Sequence, residues 1–221
     1  MKIKKINSYK TIIFDCDGVI LNSNKIKTES FYEVAKNFGE KEAIKLVNYH
    51  KSNGGISRYE KFKFFLAILN NKDSNNIPKL DELVNHYGEL VFNQLLCCEH
   101  ANKLFELREE TINSKWCVVS GSDQKELRKV FLRRGLNKLF NAGVYGSPSN
   151  KIEIFEKLIK NKTIEQPAIF IGDSKYDFDC SVYYGLDFIF VQRWSEISSK
   201  ELTNTKKIKV DIIQEISELL N

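Results

Sequence analysis

The stretch "TIIFDCDGVILNSN" (Thr11–Asn24) decides the fold. Thr11-Ile12-Ile13-Phe14 is a short, continuous apolar run, the pattern of a strand buried on both faces of a parallel sheet. It stops on Asp15, and Asp17 and Gly18 follow at once. Ile13, Asp15 and Asp17 share parity, so an extended chain turns both carboxylates to one side. Ligands of open α/β sheets bind at the carboxyl ends of the strands, the end where Asp15 stands. Two close carboxylates repel, so either they share a proton or they hold a cation. In both cases one can attack an electrophile while the other moves a proton. The same letters also suit an ordinary turn, because Asp and Gly are turn residues. The rest of the chain has to decide.

Downstream of Asn24 the texture turns helical. "ESFYEVAKNFG" places Phe31, Val34, Ala35 and Phe38 at helical spacing and stops at Gly39. "EAIKLVNYHKS" continues as helix into the breaker Asn53-Gly54-Gly55. "SRYEKFKFFLAIL" reads as a helix capped by Ser57 with Glu60 three residues on, and "LDELVNHYGELVFNQLL" as another, after a polar loop from Asn70 to Lys79. From about Ala101 strands alternate with helices: Trp116–Ser120, Ala168–Asp173 and Asp187–Val191 read as strands, with helical patterns between them. Such alternation predicts a Rossmann-like α/β core with a parallel sheet and crossover helices, interrupted after its first strand by an all-helical insert. The expected division is a core of residues 1–22 and 97–221 and a cap of residues 23–96. The 221 residues of the chain suit one core plus a smaller inserted domain.

The composition narrows the partners. The net charge of +5 comes from 34 basic and 29 acidic residues spread along the chain, with no dense basic block among aromatics, so nucleic acid is not expected. The basic start "MKIKKINSYK" lacks an apolar segment behind it, and no run reaches the length of a membrane span. Five cysteines without C-x-x-C spacing point to reduced thiols and a cytoplasmic location. Nothing in the sequence sets an oligomeric state.

Three further motifs end strands or open helices. "CVVSGSD" leaves Ser120 and Gly121 at a strand end beside a helix start, which suits an anionic oxygen. "GSPSNKIEIF" opens a helix on Lys151, which can reach a phosphate as a point charge. "AIFIGDSKYDFD" ends a strand at Gly172-Asp173, with Asp177 four residues on. Asp15 and Asp173 offer hard oxygen ligands, which suit Mg²⁺. Asp179 reads as helix surface and Asp187 as a strand-entry residue.

"DCDGV", "VVSGS", the helix-opening Lys151 and "IGDSKYD", in this order, resemble the haloacid dehalogenase superfamily, from about Tyr9 to Val191. The helical insert resembles that superfamily's C1 cap. The resemblance implies that Asp15 attacks phosphorus to form an aspartyl-phosphate, and that Asp17 protonates the leaving oxygen and then activates water. Ser120, Gly121 and Lys151 would hold the phosphoryl oxygens. Asp15, the Asp17 carbonyl and Asp173 would bind Mg²⁺, with Asp177 in support. Members that cleave carbon–halogen bonds lack the second aspartate, phosphonate hydrolases lack an acid there and use a cap lysine as an imine-forming amine, and the ion-pumping ATPases carry a different first motif on a much longer chain. That leaves phosphatases and sugar phosphomutases acting on a small phosphorylated metabolite.

"GGISRYEKF" (Gly54–Phe62) resembles the cap segment of β-phosphoglucomutase-like members, in which an arginine holds the distal phosphate. Arg58 matches that arginine, and Gly55 shapes the loop before it. The mutases carry a histidine ten residues after the second aspartate, where this chain has Lys27, so hydrolysis is favoured over mutase activity. The string as a whole is similar to superfamily proteins encoded among surface-polysaccharide and nonulosonate pathways, which leans towards a sugar phosphate. A third alternative is a non-catalytic binding protein of the same fold. Lys61, His50, His86 and His100 read as surface or structural, and Phe62, Phe64 and Phe65 as cap core, with Phe64 also a candidate for the cleft.

Overall fold

The computed structural model of the chain describes residues 5–70, 77–198 and 210–220. Six strands form one parallel sheet: β1 (Thr11–Phe14), β2 (Lys115–Asp123), β3 (Val144–Ser147), β4 (Ala168–Gly172), β5 (Asp187–Val191) and β6 (Asp211–Ile213). Their spatial order is β3-β2-β1-β4-β5-β6. The chain runs from β1 outward to β3, then returns across the sheet to β4 on the other side of β1. The boundary between β1 and β4 is therefore a topological switch point, where the loops after the two strands part and leave a crevice. Phe14 is in register with both Val118 of β2 and Ile171 of β4, so the ends of three strands arrive together.

The sheet is a doubly wound α/β layer, as the alternation predicts. Period-2 geometry splits β1 between two cores: Ile12 and Phe14 pack with Trp116 and Val118 on one face, Ile13 with Cys117, Val119 and Phe170 on the other. Helices α5 (Leu104–Glu110) and α6 (Gln124–Arg133) cover the first face through Leu104, Leu107, Leu127 and Phe131. Helices α7 (Lys151–Lys160) and α8 (Lys175–Tyr183) cover the second through Phe155, Leu158 and Phe178.

Between β1 and α5 lie α1 (Asn24–Ala35), α2 (Glu40–Ser52), α3 (Arg58–Asn70) and α4 (Leu80–Cys97). Gly39, at φ 129°, ends the first of these segments where the sequence places a stop. Phe31, Phe62, Phe65 and Tyr87 are buried together among the four helices. Phe64 stacks on Tyr49 with ring centroids 3.8 Å apart and is not part of the cleft wall. The polar loop expected from Asn70 to Lys79 lies mostly outside the described residues. Two strands, β3 and β6, are absent from the sequence reading: "VYGS" and "DII" are too short to carry a period. Among the described residues no helix is long and apolar enough to cross a membrane.

Candidate active site

A cavity of about 280 Å³ opens over the ends of β1, β2 and β4 and is roofed by the four-helix segment. Asp15 enters it directly after β1, its backbone N–H donating to Ile171 of β4 at 2.9 Å. Asp17 follows in a turn that requires Gly18, which sits at φ +76°. A Cβ there would stand 2.0 Å from Asp173 Oδ2 and 2.4 Å from Asn24 Nδ2, so the turn packs on the carboxylate from β4 with no room for a side chain.

Asp173 follows β4, and Asn24 Nδ2 donates to its Oδ2 at 2.7 Å. Asp177, on the first turn of α8, accepts from the backbone N–H groups of Asp173 and Ser174 at 3.3 and 3.2 Å and from Ser174 Oγ at 2.7 Å, all through Oδ2. Its Oδ1 pairs with Lys151. Lys151, the first residue of α7, is fully buried and stands 3.0 Å from Asp15 Oδ1. One lysine thus ties the carboxylate after β1 to the one on α8. Ser120 is buried within β2, which runs three residues past the end read from the sequence, and accepts from the backbone N–H of Ser122 at 3.1 Å. Its neighbours Gly121 and Ser122, rather than Ser120 itself, border the cavity.

Lys27, on the first turns of α1, donates to Asp17 Oδ2 at 2.5 Å. Ser122 Oγ donates to the same oxygen at 2.6 Å and Ser23 Oγ to Oδ1 at 2.5 Å. Burial by itself raises a carboxyl pKa, but Lys27 and the two hydroxyls outweigh it and hold Asp17 down to about 2. Asp15 moves the other way. Burial pushes it up to about 7, with Asp177 and Asp17 adding to the rise against the pull of Lys151. Asp173 is raised well above the usual carboxylate range by burial, Asp15 and Asp177. Two aspartates one residue apart therefore sit in opposite electrostatic states.

The donor set fits a divalent cation. Oxygens of Asp15, Asp173 and Asp177 lie within 4.8 Å of one another. Asp15 Oδ1 is buried and makes no hydrogen bond, its approach to Lys151 lying outside hydrogen-bond geometry. Asp177 has both oxygens hydrogen-bonded or paired, whereas this Asp15 oxygen has only the charge of Lys151 beside it, and hard carboxylate oxygens suit Mg²⁺.

The roof meets the floor at glycines. A Cβ on Gly121 would stand 2.2 Å from the Gly55 carbonyl oxygen, so Gly121 admits the loop between α2 and α3 onto the end of β2. Gly55, at φ +82°, packs on Ser174 and Tyr176. Tyr59 Oη donates to Asp123 Oδ2 at 3.0 Å across the same seam. Arg58 reaches the cleft wall, but its guanidinium is not open to an anion. It binds Glu126 of α6 through both terminal nitrogens, at 2.9 and 2.5 Å, and stacks over Tyr87 at 4.6 Å. The guanidinium that the sequence suggests for gripping an anion is thus paired with an internal carboxylate in this structure.

Lys61 and His50, read from the sequence as surface or structural residues, are both buried and line the cavity. Lys27 and Ser122 were also missed as site residues. The signal for Lys27 was its spacing of ten from Asp17, at the position where the mutases carry histidine. The signal for Ser122 was the Ser-Gly-Ser pattern at a strand end. Asp179 lies at the cleft rim, paired with Lys175, and Asp187 accepts a hydrogen bond from Tyr9 Oη at 2.7 Å.

Comparison with known proteins agrees with this geometry. The chain is 22% identical over 192 residues to a "Phosphorylated carbohydrates phosphatase" of Thermotoga maritima, covering 82% of this chain and 84% of that one. A crystal structure of β-phosphoglucomutase from Clostridium difficile superposes with a TM-score of 0.71 at 18% identity, covering 95% of this chain and 92% of that one. A structure described as a predicted phosphoglycolate phosphatase from Haemophilus somnus gives 0.71 at 16% identity, covering 96% of each chain. Residues 12–191 match the family described as haloacid dehalogenase-like hydrolase, a span that holds every site residue named above, and the chain is an enzyme of that family.

Proposed function

We propose that the chain is a Mg²⁺-dependent phosphatase that hydrolyses a small phosphomonoester, a sugar phosphate being one candidate, through a covalent phosphoryl-Asp15 intermediate. The observation that carries this reading is the pair of unlike carboxylates after β1: Asp15 lines the cavity with its Oδ1 3.0 Å from Lys151 and in no hydrogen bond, and Asp17 is bound by Lys27, Ser122 and Ser23 beside it. A carboxylate oxygen of Asp15 attacks phosphorus, the bond to the leaving oxygen breaks, and that oxygen takes a proton from Asp17, which the attack of water in the second step gives back. Water then attacks the same phosphorus. Asp17 takes the water's proton, the Asp15–phosphorus bond breaks, and orthophosphate leaves with Asp15 restored. The Lys27 pair favours the ionised form of Asp17, the form the second step uses. For the first step Asp17 serves as acid only when entering substrate loosens its bond to Lys27.

Lys151, which lies behind the cavity wall, neutralises the carboxylates around Asp15 and would reach a phosphoryl oxygen from that position, while Gly121 and Ser122 present the end of β2 to the same group. Asp15, Asp173 and the Asp17 carbonyl would hold the Mg²⁺, with Asp177 steadying Lys151 and the start of α8. When bound there, the cation supplies charge neutralisation at the phosphoryl oxygens. Residues 23–96 act as the cap, and residues 1–22 and 97–221 as the catalytic core. The five free cysteines, three of them buried, support a cytoplasmic site of action.

Mutase activity is the second reading, supported by the likeness to β-phosphoglucomutase. Against it stands Lys27, whose Nζ is engaged by Asp17 where the mutases are expected to offer histidine. The experiment is phosphate release from a panel of phosphorylated metabolites with Mg²⁺. Release that disappears in Asp15→Asn supports the phosphatase. Isomerisation of a sugar phosphate without release supports the mutase, and neither activity on any compound rejects both.

A further inference from the structure

Lys61 sits on α3 inside the roof of the cavity, only 4% exposed. Its Nζ meets His50 Nδ1 at 2.7 Å, and among the described residues it has no carboxylate within 4.0 Å. His50 passes the contact on: its Nε2 lies 2.9 Å from Thr28 Oγ1, and Thr28 donates to Glu196 Oε1. Glu196 thus engages Thr28, and His50 at 3.6 Å, and acts on the lysine only from beyond ion-pair distance, as Asp17 does. The other cations of the site are matched. Lys27 is paired with Asp17, Lys151 with Asp15 and Asp177, and Arg58 with Glu126. Lys61 is the one of these four that faces the cavity without an ion-pair partner.

A buried ammonium without a counter-charge is unfavourable unless something supplies one. Burial, with Lys27 as the largest charge acting against it and Glu196 and Asp17 acting for it, brings Lys61 down to about 7. His50 is kept neutral by the same burial and by Lys61, so its ring can accept from the ammonium without repelling it. The cavity, at about 280 Å³, lies at the lower edge of ligand pockets, roughly 300–1,000 Å³. A compound that places its phosphoryl group on Asp15 and reaches Lys61 in this space is short.

We propose that Lys61 is a specificity-determining residue that binds a second anionic group, a carboxylate or second phosphate, on the part of a small phosphomonoester that is not transferred. This rests on the phosphatase reading for the site of the first phosphate, and it moves the second-anion role from Arg58 to Lys61. A neutral sugar phosphate would leave the lysine unmatched.

The test uses matched pairs: 3-phosphoglycerate against glycerol 3-phosphate, and fructose 1,6-bisphosphate against fructose 6-phosphate. Calorimetry on the Asp15→Asn protein with Mg²⁺ reads affinity, and kcat/KM on the Asp15 protein reads turnover. In at least one pair the member with the added anion should bind about tenfold to a hundredfold more tightly, the scale of a charge-assisted hydrogen bond. Lys61→Met should collapse that ratio towards one and Lys61→Arg should restore part of it. Lys63→Met, an exposed lysine paired with Glu60 on the same helix, should leave the ratio alone. Ratios near one in both pairs for the protein that retains Lys61, a result that needs no variant at position 61 to fold, would overturn the proposal. So would a ratio that persists in Lys61→Met. Absence of turnover with the affinity ratio intact would instead remove the phosphatase reading and leave the anion site standing.

Discussion

Lys27 Nζ lies 2.5 Å from Asp17 Oδ2, in a pair whose side chains are 8% and 15% exposed. The contact joins the first cap helix to the turn after β1, so the position of the roof and the charge of the candidate general base are set together. Asp17 lies well below its ordinary value, so its ionised form persists to about pH 2, and the stability this gives is lost only as the pH falls through that region.

Lys27→Met should therefore act through Asp17. Removing the ammonium raises the Asp17 pKa, and with Mg²⁺ saturating Asp15 and Asp173 the acid limb of the kcat–pH profile moves to higher pH by about 1–3 units. A profile that keeps its acid limb while kcat falls uniformly would show that Lys27 positions the cap without setting the base.

The carboxylate cluster makes a prediction about cation binding itself. Asp15 at about 7, and Asp173 raised with it, hold protons near neutrality that a cation must displace. Mg²⁺ binding at pH 6.5 should release protons, read by calorimetry in two buffers of different ionisation enthalpy, and its affinity should weaken as the pH drops. EDTA should stop phosphate release and Mg²⁺ restore it. Proton-neutral binding would place the cation away from these carboxylates.

Arg58→Ala should cost stability in the first instance. The variant leaves Glu126, 10% exposed, as an uncompensated buried charge, a loss of about 3–5 kcal/mol where such a pair is broken. Arg58→Met combined with Glu126→Leu should recover much of it, because both charges then leave together. Denaturant unfolding of the two variants and the unaltered protein reads this directly. A stable Arg58→Ala protein with a selective defect on doubly anionic substrates would return the anion contact to Arg58.

Gly121→Ala should separate roof from floor. The new Cβ falls 2.2 Å from the Gly55 carbonyl, a backbone atom that moves only if the whole loop lifts. Displacing the roof by about 1 Å is enough to lower kcat/KM on the order of a hundredfold. Circular dichroism should stay native. Unchanged turnover would mean that the cap does not close through this contact.

Much of this arrangement was legible in the sequence, for reasons that vary from residue to residue. Asp15, Asp173 and Lys151 were readable because each stands at a strand end or helix start that hydrophobic patterning locates. The partners of these residues were not, because they come from distant segments. Glu126 lies 68 positions from Arg58 and engages it only once α3 and α6 meet. Lys61 read as one of several solvated lysines on an amphipathic helix, and only the packing of α1, α2 and α3 buries it while Lys63 stays out. The sequence reading located the carboxylates and the lysine of the floor and missed the pairings of the roof.

The measurement closest to the central claim is a chemical trap of Asp15. Turnover of a hydrolysed phosphomonoester with Mg²⁺ is quenched with acid and treated with borohydride, which reduces an aspartyl-phosphate to homoserine, and the peptide containing residue 15 is read by mass spectrometry. Asp17→Asn, which should slow the attack of water, increases the trapped fraction. The account predicts homoserine at position 15, absent without substrate. Steady phosphate release with residue 15 recovered only as aspartate, in both the unaltered and the Asp17→Asn protein, would contradict it.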